Sequence, residues 1–174
     1  MLERLSPVGL QPISNFWRGK KMKDKFFGEL QYEYGWVGEM TINWYGEDVA
    51  VNLVISGEED EEIDALQYDS YAKFMEKWST IQTNLLDRIL QYYQNLRREL
   101  GYDDDSNEAY PCISSTVEIK NRIGLDIISL PSSGVYNGRS IALAFHCDWD
   151  VENGLGILFV NEEISEIGFQ DIAF

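Results

Sequence analysis

Apolar and polar residues alternate most clearly between positions 36 and 44. Trp36, Met40, Ile42 and Trp44 fall on one side, with Gly38 interrupting the row, and Val37, Glu39, Thr41 and Asn43 fall on the other. A period of two with one wet side is the pattern of a half-buried strand. Residues 27–34 and 49–55 are also rich in aromatic and β-branched residues, and Gly35 and Tyr45-Gly46-Glu47-Asp48 punctuate the three runs as turns. Three strands joined this closely predict an antiparallel meander. The strongest periodic signal comes next. Tyr71, Phe74, Trp78, Ile81, Leu85, Ile89, Tyr92 and Leu96 recur at spacings of three and four, the stripe of one long amphipathic helix. Asp69 is the expected cap, and Arg97, Arg98 and Gly101 supply a basic last turn and a glycine stop.

Beyond the helix, residues 116–123 read as a short second helix capped by Ser114 or Ser115. Residues 125–130, 140–147, 156–160 and 163–167 read as strands, with Asn161-Glu162 as a hairpin turn between the last two. Strands, a long helix, a short helix and strands again give an α+β fold: an antiparallel sheet with the long helix packed across one face. Trp36, Trp44, Phe74, Trp78, Leu85, Ile89, Ile127, Leu143, Phe145 and Phe159 are the expected core. Residues 1–25, with Pro7, Pro12, Gly9 and Gly19 and no sustained period, read as a basic N-terminal arm ahead of a single acidic domain over residues 26–174.

Composition sharpens this picture. The chain has 174 residues, 44% hydrophobic and 13% aromatic, enough to bury a core, with 30 acids against 14 Lys and Arg for a formal charge of −16. The arm holds six cations against two acids; the remainder holds 8 cations against 28 acids, a net of −20. A body this acidic repels phosphate, so no nucleic-acid partner is expected, and the same field would steer a basic protein towards it. Solubility alone is the plainer use of such a charge. No apolar run approaches the roughly 20 residues of a membrane helix, so no membrane association is expected. Residues 1–10 hold no stretch of signal-peptide type, and a cytoplasmic location is expected.

Candidate chemistry is sparse. There is no phosphate-binding glycine loop, one histidine (His146), and two cysteines, Cys112 and Cys147, without C-x-x-C spacing. His146 and Cys147 are neighbours on a strand and point to opposite faces, a poor base–nucleophile pair, while a Cys112–His146 dyad stays open. Asp148, Asp150 and Glu152 sit where a strand ends and would offer oxygen ligands to a hard cation, or simply bond nearby backbone N–H groups in a turn. Two acidic loops are the candidate partner-binding surfaces: Glu58, Glu59, Asp60, Glu61 and Glu62 before the long helix, and Asp103, Asp104 and Asp105 after it. Charge at helix ends is also ordinary dipole complementation. No cofactor and no catalytic residue are expected, and oligomeric state stays open.

The least generic segment is Trp149-Asp150-Val151-Glu152-Asn153-Gly154-Leu155-Gly156, followed by a strand and Gly168-Phe169-Gln170-Asp171-Ile172-Ala173. It resembles an uncharacterised bacterial family of small acidic domains ending in W-D-x-E-H-G-L-G and a terminal G-x-x-D-x-A. Asn153 stands where that pattern has His. The Trp36-Val37-Gly38 turn and the Tyr92-Tyr93 pair carry the same resemblance. It implies a non-catalytic binding role of the kind played by polymorphic-toxin immunity proteins, which occlude a toxin domain, and it assigns no catalytic residues. Gly154 and Gly156 are expected to serve a positive φ or a close backbone approach.

Overall fold

The computed structural model describes residues 19–103 and 107–174. Eight strands form one sheet in chain order: β1 (Lys21–Asp24), β2 (Gly28–Tyr32), β3 (Trp36–Trp44), β4 (Glu47–Ile55), β5 (Ile123–Leu130), β6 (Ser140–Cys147), β7 (Leu155–Val160) and β8 (Glu163–Gly168). Every neighbouring pair is antiparallel except β4 and β5, which run parallel over Asn52–Ile127 to Ile55–Leu130. The sheet is therefore two four-stranded meanders joined by a crossover. That crossover carries α1 (Ala65–Glu99) and α2 (Thr116–Lys120), since parallel neighbours need a long connection. The expected α+β class holds, with this one parallel pairing inside a mostly antiparallel sheet. Strand β1 lies inside the segment read as an arm: Lys21, Met22, Lys23 and Asp24 pair with β2 as an edge strand of the same sheet.

Helix α1 starts five residues earlier than expected. Asp64, not Asp69, is the cap: its carboxylate accepts from the N–H of Leu66 and Gln67 at 2.8 and 3.0 Å, and Gln67 returns a bond to the Asp64 N–H. At the other end Gly101 adopts φ +78°, the left-handed stop anticipated from its position. Phe74, Trp78, Leu85 and Ile89 are buried as expected, whereas Tyr71, Ile81, Tyr92 and Leu96 are only half-buried. The buried stripe instead runs through four polar residues, each bonded to main chain outside the helix. Gln67 Nε2 donates to the carbonyls of Ser56, Leu130 and Pro131, and Ser70 Oγ accepts from Ser140 N. Gln82 Oε1 accepts from Tyr45 N, and Arg97 Nε donates to the Tyr110 carbonyl. Gln67, Ser70 and Gln82 fasten the helix to strand ends and Arg97 fastens it to the loop that follows it, while the apolar residues between them fill the core.

Gln67 joins the C-terminal ends of the two parallel strands, where the chain leaves β4 and β5. Replacing it by alanine removes the side-chain donor from the Ser56 and Pro131 carbonyls, while the Leu130 carbonyl keeps the Ser56 N–H, and urea unfolding should show a loss of about 2 kcal/mol. A loss below about 0.5 kcal/mol would mean that water satisfies them as well.

The helix-bearing face holds the main core, including Trp36, Trp44, Phe74, Trp78, Leu85, Ile89, Leu143, Phe145 and Phe159. Trp149 also belongs there, 4.7 Å from the Tyr93 ring. Ile127 faces the other side. It packs there with Ala142, Ala144, Leu158 and Ala173, beneath a closing 3-10 turn over Gln170–Ala173. On that side of β3 and β4, Glu39, Thr41, Asn43, Asp48 and Asn52 are exposed, the wet face the alternation predicted. Among the described residues no helix is long and apolar enough to cross a membrane.

Candidate functional site

The acidic run at residues 58–62 lies between the end of β4 and the cap of α1, where a crossover connection must leave the sheet. All five side chains are exposed. Glu59 Oε1 accepts from Lys20 N at 2.8 Å, and Lys20 Nζ donates to the Glu59 carbonyl, which ties the run to the start of β1. The field of the run reaches Tyr32, whose phenol is pushed up by burial and then by Glu58, Glu59, Asp60 and Glu61. The second acidic loop is elsewhere. Asp103 is exposed just past the C-terminus of α1, and Asp104 and Asp105 lie outside the described residues. A 35-residue helix at 1.5 Å per residue separates the two loops by about 50 Å, so they do not form one patch.

Beside the first loop, the β1–β2 hairpin and the N-terminal turn of α1 enclose a groove of about 770 Å³. Its acidic rim is Asp60, Glu61 and Glu62; Phe26, Tyr68 and Trp36 are among its walls, and Lys20 and Lys25 also line it. The hairpin turn is rigidly held. Asp24 Oδ1 accepts from the N–H of Phe26 and Phe27 at 2.6 and 2.8 Å, and Asp24 Oδ2 accepts from Tyr68 Oη at 2.6 Å. Burial opposes ionisation of Asp24, but these bonds outweigh it and hold the carboxyl below its ordinary range. The same pairing, after burial, pushes the Tyr68 phenol up to about 12. Phe26 stands edge-on to Phe27, Tyr68 and Tyr71 at centroid separations of 5.2, 5.9 and 5.6 Å, yet remains 51% exposed. Trp36 is 2% exposed, and its Nε1 is the one buried side-chain nitrogen or oxygen among the described residues without a hydrogen-bond partner. Such an orphan donor costs about 1–3 kcal/mol.

The other candidates separate. Asp148 pairs with Arg122 at 2.8 Å. Asp150 accepts from the N–H and side-chain amide of Asn153 at 3.1 and 3.0 Å, and its carbonyl takes Gly154 N, an Asx-type turn. Glu152 is exposed, and only its carbonyl is bonded, by Gln170 Nε2. The three carboxylates do not converge, and among the described residues no group of three His, Cys, Asp or Glu is arranged to hold a metal ion. Gly154 has φ +58°, and a Cβ on Gly156 would stand 2.3 Å from the Phe169 carbonyl oxygen, so both glycines serve the backbone roles expected of them. The segment from Trp149 to Gly156 and the closing turn thus hold each other: Gly156 pairs with Gly168, and Gln170 N donates to the Asn153 carbonyl. Trp36-Val37-Gly38, read as a turn, is the start of β3.

His146 and Cys147 do point to opposite faces, His146 exposed and Cys147 buried, with burial pushing the thiol up to about 11. The histidine's partner is Asp126. A bulge between Leu125 and Ile127 leaves Asp126 unpaired in the ladder and turns it towards His146, whose Nδ1 lies 2.9 Å from both carboxylate oxygens. The imidazole lies over Gly124, where a Cβ would be 2.1 Å from its Cε1. This pair sits on the open sheet face, with no nucleophile placed against it in the described contacts.

Comparison with known proteins gives one finding. A family model described as Domain of unknown function (DUF6985) matches residues 26–174. No curated protein and no solved structure matches the chain.

Proposed function

The chain belongs to the DUF6985 family, a domain of unknown function, and from that premise we propose that it is a non-catalytic binding protein whose partner is a basic protein. The observation that carries this reading is the exposed run at residues 58–62, one end of an acidic body, set beside an aromatic-walled groove. Steering by such a field raises encounter rates, and aromatic anchors then supply the affinity. The resemblance seen in the sequence favours an intracellular immunity-type protein that occludes a toxin domain, acting in the bacterial cytoplasm. Two other readings are a structural domain whose acidity serves solubility, and a divalent-cation site at Asp148, Asp150 and Glu152. The second draws little support from carboxylates already engaged by Arg122 and Asn153.

The test is association kinetics, by stopped flow, with the basic protein recovered by affinity capture on the full chain. Reversing Glu58, Glu59 and Glu61 to Lys should slow association about tenfold and flatten its dependence on salt. An unchanged rate with an unchanged salt slope would rule out the acidic-surface mechanism.

A further inference from the structure

We infer that the outer edge of β3, from Glu39 to Asn43, takes up an extended basic segment of the partner as an added strand. Lysine or arginine side chains of that segment meet Glu39 on the open face of the sheet, and apolar ones alternate with them on the helix side. This rests on the basic-partner reading above and deepens it: the acidic run and its groove draw the partner in, and the edge of β3 binds one extended segment of it.

The edge is open because β2 leaves β3 early. The two strands pair only at Gln31–Val37 and Tyr32–Trp36, although β3 continues to Trp44. Phe27, just before β2, stacks on Tyr68 and stands edge-on to Tyr71, both at 5.2 Å, which draws the hairpin onto α1. Leu30 packs across Gly38, where a Cβ would be 2.7 Å from Leu30 Cδ2. The fork left between the strands is a cleft of about 480 Å³, with Phe27, Gly28, Glu29, Gly38 and Glu39 among its walls.

The turn after β3 fixes which main-chain groups face out. Tyr45 and Gly46, at φ +49° and +91°, form a two-residue turn closed by the pair Trp44–Glu47. The pair closing such a turn exchanges hydrogen bonds. Trp44, Ile42 and Met40 therefore bond to β4, while Asn43, Thr41 and Glu39 turn their N–H and C=O away from it. Val37, of the same parity, is where β3 meets Gln31 of β2, and the Asn43 carbonyl is taken by Trp78 Nε1 at 2.7 Å. The N–H and C=O of Glu39 and Thr41 and the N–H of Asn43 have no partner among the described residues, and all three residues are exposed.

The outermost edges of the sheet are guarded by charge, Lys21 and Lys23 on β1 and Glu163 and Glu166 on β8, whereas β3 carries Glu39 alone. An added strand finds a complement on each side. On the open face Glu29 and Glu39 are exposed, and no ion pair among the described residues engages them. On the helix side Met40 and Tyr71 are half-buried, with Tyr71 Oη reaching Met40 Sδ. A second copy would bring a formal charge of −16 against those same acids. A segment alternating basic and apolar residues suits both sides and supplies the missing ladder bonds.

The experiment is amide hydrogen exchange on the ¹⁵N-labelled full chain, free and with an acetylated, amidated Lys-Val-Lys-Val-Lys-Val-Lys peptide. In the free chain the amides of Glu39, Thr41 and Asn43 should exchange freely, while those of Met40, Ile42 and Trp44 are protected. Saturating peptide should slow the first three at least tenfold and leave the others unchanged. The same peptide N-methylated at every residue keeps its charge but donates no ladder bond, and should bind at least tenfold more weakly. Thr41→Pro should weaken binding comparably, because it removes an N–H that β4 does not use. Protected Met40 and Ile42 amides show that this variant is folded, and Thr41→Val, which keeps the N–H, should bind as the parent chain does. Equal binding of the N-methylated peptide would overturn the edge while leaving a basic partner in place. Equal binding of Glu-Val-Glu-Val-Glu-Val-Glu would overturn the basic occupant. Protection of Glu39, Thr41 and Asn43 already in the free chain, by residues 1–18 or by a second copy, would overturn the open edge, as would three amides that peptide never slows. If neither the peptide nor any basic protein binds, the edge and the basic-partner reading fall together.

Discussion

Replacing Trp78 by alanine is expected to cost about 4 kcal/mol of folding stability, the range for emptying a fully buried large aromatic site. Trp78 is 4% exposed in the middle of α1. Its ring stacks on Trp44 at 6.0 Å and tilts against Phe74 at 5.3 Å, so the cavity would open where the helix meets the centre of the sheet. Its Nε1 donates to the Asn43 carbonyl at 2.7 Å, near the end of β3, and that acceptor would lose its partner as well. The midpoint of urea unfolding should fall with the slope unchanged. A loss below about 1 kcal/mol would mean that the helix does not lean on the sheet through this residue.

The second large effect is electrostatic and depends on pH. Glu162 occupies the second position of the Asn161-Glu162 hairpin turn, with φ +51° and +67° at the two residues. Its side chain is only 3% exposed, held by Arg139 Nε at 2.7 Å, Arg139 Nη2 at 3.1 Å and Lys77 Nζ at 2.9 Å. Those bonds, Arg139 first, hold its carboxyl at about 2, against an ordinary value of 4.5. Because the folded-state value is depressed, the stabilisation is fully present above pH 4.5 and is lost as pH falls through about 2. A depression of this size corresponds to about 3 kcal/mol. Glu162→Gln should therefore be less stable than the parent chain by about that amount at pH 7, and the two should converge towards pH 2. Stability curves that stay parallel across that window would show that the ion pairs contribute nothing to folding.

The sequence spoke most clearly where one face of an element is apolar and the other wet. Strand β6 spans the residues expected, and β3 shows the alternation read from Trp36 to Trp44. The hairpin turns at Tyr45-Gly46 and Asn161-Glu162 adopt the positive φ values that make such short turns possible. What was hidden depends on contacts distant in the chain. Strand β1 has too many lysines to look like a strand; its alternation matters only once it pairs with β2 at the sheet's edge, where lysines also discourage further pairing. The buried line of α1 passes through Gln67, Ser70, Gln82 and Arg97, which look like surface residues until the backbone groups they satisfy are brought to them. The parallel register of β4 on β5 leaves no local mark. The acidic run was legible as a composition shift, but its neighbour was not. Phe26, Trp36 and Tyr68 meet beside it only after the hairpin folds back, and Asp126 reaches His146 only through a bulge.

The central claim is that this acidic chain holds a basic protein at the groove beside residues 58–62. Affinity capture from the native host tests it most directly, using the full chain and its Asp60→Asn, Glu61→Gln, Glu62→Gln variant, each at low and high salt. The account predicts one basic protein retained at near-equal stoichiometry by the parent chain at low salt, released at high salt, and held poorly by the variant. Parent chain recovered alone from a host that expresses its cognate genes, or a partner retained equally by both chains and indifferent to salt, would contradict it.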